Sequence, residues 1–197
     1  LADIQEKDRY DVIIANPPFG GKEKPQIQQN FPIQANATEL LFLQHFMKSL
    51  KKDGRAAIVV PEGVLFQTGN AFKSVKEILL AEFNVHTILS LPAGVFLPYS
   101  GVKTNVLFFD RTGATTDIWY YECVPEQKLT KNKPIQAEHL QEFVDLFPKR
   151  GLSARSWLVE TQCIASLQYD LSAKNPNTVT DIDHLPPHEI MAHIRKN

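Results

Sequence analysis

Cysteine is nearly absent from this sequence. The two that occur, Cys123 and Cys163, lie far apart and form neither a C-x-x-C pair nor a disulfide framework. A disulfide-stapled secreted scaffold is thereby excluded, and a reduced, cytoplasmic protein is the expected setting. No apolar run approaches the ~20 residues that a membrane-spanning helix needs, so no membrane association is expected. Leu1 to Tyr10 is polar and mixed in charge, without the apolar stretch of a secretory signal. Residue 1 is leucine rather than methionine, so a preceding segment is expected. An excess of one charge is lacking too: the formal net charge is −1. Proteins that hold nucleic acid unaided usually carry a basic excess that neutralises phosphates, so a stand-alone nucleic-acid binder is disfavoured. No G-x-G occurs anywhere, and Ser or Cys nucleophile motifs are missing.

Metal chemistry finds no convincing ligand set. His188-Glu189 with His193 resembles the H-E-x-x-H zinc motif, but the second histidine is one position too far to share a helix face. His184 and His188 have a usable separation, yet Pro186-Pro187 interrupts any helix between them. Asp181 and Asp183 read as solvated loop acids. Lys128, Lys131 and Lys133 could meet phosphate, but they read more naturally as a flexible surface loop.

What is present is ordinary globular material. Hydrophobic residues make up 43% of the chain, enough for a core without staples. Tyr10 to Ala15 (YDVIIA) is a short, almost wholly apolar run of the kind that forms a buried parallel strand. A Pro- and Gln-rich loop follows, and Ala37 to Lys52 then has helical periodicity, with Leu40, Leu43, Phe46, Met47 and Leu50 on one face. Asn36 with Glu39 is the expected cap pair and Gly54 the expected stop. Further strands are expected at Arg55 to Val60, Val85 to Leu91, Val102 to Asp110, Asp117 to Cys123 and Ser156 to Val159. Helices are expected at Ala71 to Phe83, Glu138 to Phe147 and Pro187 to Lys196. Thr112-Gly113 is a turn signal between the strands at Val102 and Asp117. The alternation predicts an α/β fold whose mixed sheet carries an antiparallel edge strand.

Asn16-Pro17-Pro18-Phe19 follows the first strand directly. In open α/β sheets ligands bind beyond the carboxyl ends of strands. An exocyclic amine on a base is a poor nucleophile, because its lone pair is delocalised into the ring. Two acceptors on its N–H groups favour a more tetrahedral, more reactive nitrogen. The Asn16 side-chain oxygen can be one and the Pro17 carbonyl the other. Consecutive prolines restrict the loop and add no competing N–H donor. Phe19 offers a flat face on which a base can stack, a contact worth ~1–3 kcal/mol. Such an amine lies inside a duplex, so the base must be flipped out to reach the loop.

The stretch DVIIANPPFGG resembles the catalytic motif of amino-group methyltransferases. GRAAIVVPEGVLF (Gly54 to Phe66), LPAGVF (Leu91 to Phe96), GVKTNVLFFDR (Gly101 to Arg111) and YDLSAKNPN (Tyr169 to Asn177) extend the likeness over most of the chain. Together these segments are similar to the modification subunits of type I restriction–modification systems, an N6-adenine DNA methyltransferase family. The resemblance implies a Rossmann-like S-adenosylmethionine-dependent domain, of which this chain is the later half. Residues 1–124 would then be catalytic, and 125–197 an extension with short helices whose tail, with Ile190, Met191 and Ile194 on one side, docks on a partner. It implies that Asn16, Pro17, Pro18 and Phe19 form the catalytic loop, in which Asn16, Pro17 and Phe19 hold the target adenine, and that Phe96 packs against the flipped base from another side. Pro18 would touch the cofactor, whose main binding loop precedes this stretch in the family's motif order. The implied partners are DNA, a specificity subunit, a restriction subunit and a second modification subunit. Lys103 and Asn105 read as edge-strand polar residues without a catalytic role. Two alternatives stay open: an N-methyltransferase acting on a protein glutamine or an rRNA guanine, and a non-catalytic assembly module. The chain by itself is expected to be inactive as a methyltransferase.

Overall fold

The computed structural model describes residues 4–166 and 168–177. Its frame is one six-stranded mixed sheet: β1 (Tyr10–Ala15), β2 (Leu50–Pro61), β3 (Asn84–Ser90), β4 (Thr104–Asp110), β5 (Asp117–Glu122) and β6 (Ser156–Glu160), in the order β1-β2-β4-β3-β5-β6. β1 pairs with β2, and β3 with β5, in parallel. β4 lies antiparallel between β2 and β3, and β6 is an antiparallel edge strand on β5. It follows that β1, β2, β3 and β5 all point the same way. The helices are α1 (Pro25–Gln28), α2 (Thr38–Ser49), α3 (Glu62–Phe66), α4 (Asn70–Glu82), α5 (Gln141–Leu146) and α6 (Thr161–Ser166). Among the described residues no helix is long and apolar enough to cross a membrane.

Period-two alternation sends successive side chains of β3, β4 and β5 into two different cores. On one face Ile58, Val60, Leu107, Phe109, Ile88 and Tyr120 meet the apolar stripes of α2 (Leu40, Leu43, Met47) and α4 (Val75, Leu79). On the other, Trp119, Tyr121 and Leu89 meet Phe143 of α5, with Phe108 and Phe147 packed alongside. Trp119 stacks on Phe143 at 5.7 Å between ring centres, and its indole N–H donates to the Gly151 carbonyl at 3.2 Å. That bond satisfies the one polar atom a buried tryptophan brings.

Several expectations need correction. Tyr10 to Ala15 is a parallel strand but not a buried one: Tyr10, Val12 and Ile14 are 61%, 47% and 84% exposed. Among the described residues β1 sits at the sheet edge with β2 as its only strand neighbour, which leaves one of its faces and its outer backbone edge uncovered by them. The first long helix ends at Ser49, because β2 already begins at Leu50 and runs through Gly54. Its cap position is Ala37, not Asn36, and no side chain caps it. The strands on either side of Thr112-Gly113 do not pair, since β3 lies between them. The expected helix at Pro187 to Lys196, together with Asp181, Asp183 and the histidines at 184, 188 and 193, falls outside the described residues.

Candidate active site

The carboxyl ends of β1, β2, β3 and β5 share one edge of the sheet, and the loops leaving them form the site. The Asn16–Phe19 loop follows β1. Pro17 is buried and anchors the loop, while Asn16 and Pro18 are exposed. Among the described residues no hydrogen bond outside the strand ladders uses a group of Asn16 to Phe19. Within the described part of the protein the Asn16 amide oxygen and the proline carbonyls are therefore uncommitted acceptors, as gripping an amine requires. Beyond the loop the chain is pinned again. Lys22 bridges to Ala37, Glu23 N–H donates to the Asn36 carbonyl at 3.0 Å, and Gly21, at φ +114°, passes so close to Thr38 that a Cβ would meet its Oγ1 at 2.9 Å.

The β3–β4 loop brings the second aromatic. Phe96 lies edge-to-face against Phe19, with ring centres 5.3 Å apart and planes at 72°. Two half-exposed rings so arranged offer a flat base one face and one edge. The Phe96 loop is ordered by its own backbone: Leu97 N–H donates to the Gly94 carbonyl at 3.2 Å, and Tyr99 and Ser100 donate to the Phe96 carbonyl at 2.8 and 3.0 Å.

Asn105 is not an edge-strand residue, because β4 is interior, and Lys103 immediately precedes that strand. The Lys103 ammonium pairs with Glu62 at the start of α3 at 2.9 Å, and Glu62 N–H donates to the Lys103 carbonyl at 2.9 Å. This clasp joins the β2 exit to the foot of the Phe96 loop. Asn105 is 3% exposed and its Nδ2 has no partner among the described residues. It faces a cleft of about 860 Å³ that begins at Glu62 and Lys103 and continues past Ser90 to Tyr120 and Trp157. A polar K-T-N triplet opening an otherwise apolar strand was the sequence signal for this cluster.

A family model for N-6 DNA methylases matches residues 2–184. The chain belongs to the N-6 DNA methylase family. Within it, the chain is 40% identical to the type I restriction enzyme EcoEI methylase subunit of Escherichia coli, over 94% of its own length and 40% of that protein's. A chain in a structure of the type I R-M system is 50% identical, with a TM-score of 0.81 over 96% of this chain and 42% of that one. The crystal structure of a modification subunit from Vibrio vulnificus gives 40% identity and a TM-score of 0.85, covering 93% of this chain and 42% of its counterpart. This N-6 DNA methylase chain thus spans about two fifths of the length of these relatives.

Proposed function

We propose that this chain is the later half of the catalytic domain of a type I modification subunit, which transfers a methyl group from S-adenosylmethionine to the N6 amine of adenine in DNA. The observation that carries this reading is the meeting of Phe19 and Phe96 beside the uncommitted acceptors of Asn16 and Pro17 at the carboxyl edge of the sheet. Asn16 Oδ1 and the Pro17 carbonyl accept the two N–H groups of the flipped adenine, and the two phenyl rings hold its plane. The work is positioning and electrostatic preorganisation.

S-adenosylmethionine supplies the methyl group as an electrophilic sulfonium carbon. The described residues do not by themselves fit it: they hold no glycine-rich strand–helix turn, and the end of β1 offers only the asparagine–proline loop, on which Pro18 is the residue proposed to touch it. Val12 and Ile14 are exposed, and among the described residues the outer edge of β1 pairs with no strand, which suits continuation of the sheet by another part of the subunit. Residues 1–124 are assigned to the catalytic half and 125–197 to an extension that docks on a partner. The working complex includes a specificity subunit, a restriction subunit and a second modification subunit in the cytoplasm, which accords with the near-neutral charge of this chain.

The test is methyl incorporation by the whole subunit, assembled with its specificity subunit, into DNA free of adenine methylation, into rRNA and into a release-factor protein. Transfer to DNA adenine alone is expected, with none from the isolated chain. Incorporation into the RNA or the protein but not DNA would overturn the reading.

A further inference from the structure

We propose that the hairpin loop following β5, carrying Lys128, Lys131 and Lys133, is a DNA-backbone clamp that grips phosphates beside the flipped adenine. The proposal rests on the reading above and extends it to residues that the sequence suggested were a flexible surface loop. β5 runs parallel to β3, with Ser90 opposite Glu122, so the lysine loop emerges at the same sheet edge as the Phe96 loop. The two exits are tied where Cys123 N–H donates to the Ser90 carbonyl at 2.9 Å.

The loop is also built against the Phe96 loop. Leu129 is 4% exposed, and a Cβ on Gly94 would lie 3.4 Å from the Leu129 carbonyl oxygen and 3.6 Å from its Cβ. Gly94 adopts φ +91°, a conformation open to glycine at little cost. The backbone can therefore approach Leu129 closely two residues before Phe96. The lysine segment itself is a closed turn. Thr130 and Lys133 exchange backbone hydrogen bonds of 3.1 Å each way, and the Lys133 ammonium donates to Gln127 Oε1 at 2.8 Å.

Its charge is unspent. All three lysines are exposed, and none takes part in an ion pair among the described residues. Glu142 is paired with Arg155 at 3.5 Å and accepts from the Tyr121 hydroxyl at 3.1 Å; Glu126 on the loop and Glu138 beyond it make no ion pair among the described residues, and the three lysines outnumber them. At the tip of the adjoining Phe96 loop, Tyr99 is 94% exposed and Leu97 41%. Cations on one loop and an exposed aromatic on the loop packed against it are the parts from which backbone-tracking nucleic-acid surfaces are made. A chain of net charge −1 can still present a local positive surface where the substrate lies.

The experiment uses the assembled complex with whole modification subunit, wild type against K128Q/K131Q/K133Q. Binding to a random-sequence duplex is measured over a salt series, and methylation of unmethylated genomic DNA is measured over a DNA series. Each phosphate contact contributes about 0.9 to the slope of log affinity against log salt. The triple variant is expected to flatten that slope by about 2–3, to raise the KM for DNA, and to keep kcat at saturating DNA and assembly with the other subunits. An unchanged slope and KM would overturn the clamp, as would loss of subunit assembly with the slope intact, which would make the loop a protein-docking surface. The function reading fails differently: a wild-type complex that neither binds nor methylates DNA would remove it and the clamp together. A wild type that methylates adenine with an unaffected triple variant removes the clamp alone.

Discussion

Replacing Asn16 with alanine in the whole modification subunit is expected to lower adenine methylation by about a hundred- to a thousand-fold, with duplex binding unchanged. Loss of one preorganised hydrogen-bonding group aimed at a reacting centre costs about that much, and each tenfold corresponds to about 1.4 kcal/mol of barrier. The Asn16 side chain makes no hydrogen bond within the described part of the protein, so its removal breaks none there. It is exposed, so no cavity is left behind. The loss should therefore fall on kcat, with melting temperature and duplex affinity near wild type. Asn16→Asp keeps an acceptor at the same place and should retain more activity than Asn16→Ala. Single-turnover methylation under saturating cofactor and DNA reads the effect directly. An alanine variant with wild-type single-turnover rate would remove Asn16 from the chemistry.

The part of the site made of consecutive residues was legible before any fold was known. A continuous apolar run followed by Asn-Pro-Pro-Phe carries its own context, and β1 with its loop lies where that run placed it. What the run could not convey is its neighbours. Val12 and Ile14 look like core residues, but β1 has one strand partner, and burial depends on chain packed from elsewhere. Helix α2 starts without the Asn36 cap, and the Thr38 hydroxyl donates to Glu23 at 3.2 Å. Gly54 reads as a helix stop; in the fold it is a crowded point of β2, where a Cβ would meet the Lys51 and Asp11 carbonyls at 3.0 and 3.1 Å. The turn at Thr112-Gly113 suggests a hairpin, yet the chain crosses past β3 before pairing again. Phe96 entered through family resemblance alone. Its contact with Phe19, like that of Leu129 with Gly94, joins residues far apart in the sequence, and local pattern carries no trace of either.

Removing the Lys76 side chain should destabilise this chain more than any other change of a charged residue. Lys76 is fully buried on α4, amid Val75, Leu79 and Leu80, and its ammonium donates to the Leu65 carbonyl at 2.8 Å and the Gln67 carbonyl at 2.9 Å. It thereby ties α4 to the end of α3, whose first residue, Glu62, is held by Lys103. Lys76→Ala leaves a cavity where the stem was and strips the Gln67 carbonyl of its side-chain donor, while Leu65 keeps the Leu171 N–H at 3.0 Å. Truncating a long buried side chain to alanine costs about 2–5 kcal/mol, and because Gln67 is exposed, water can take the place of the lost donor there. Lys76→Met keeps most of the volume and should cost less. The pH dependence separates charge from packing. Burial pushes the Lys76 pKa down to about 8, with Asp170 offsetting part of the shift. In the unfolded chain a lysine titrates near 10.4, so between these values the unfolded state binds more protons and folding gains stability as pH rises. Below pH 8 the ammonium is charged in both states and that gain is absent. Cys123, Tyr120 and Tyr121 act in the opposite sense, because burial raises each, but they are common to wild type and Lys76→Met and cancel in the difference. Urea unfolding of the two proteins at pH 7 and pH 9.5 should therefore show the wild type gaining on Lys76→Met at the higher pH. An identical difference at both values would mean that the ammonium is not desolvated and that the lysine acts through packing alone.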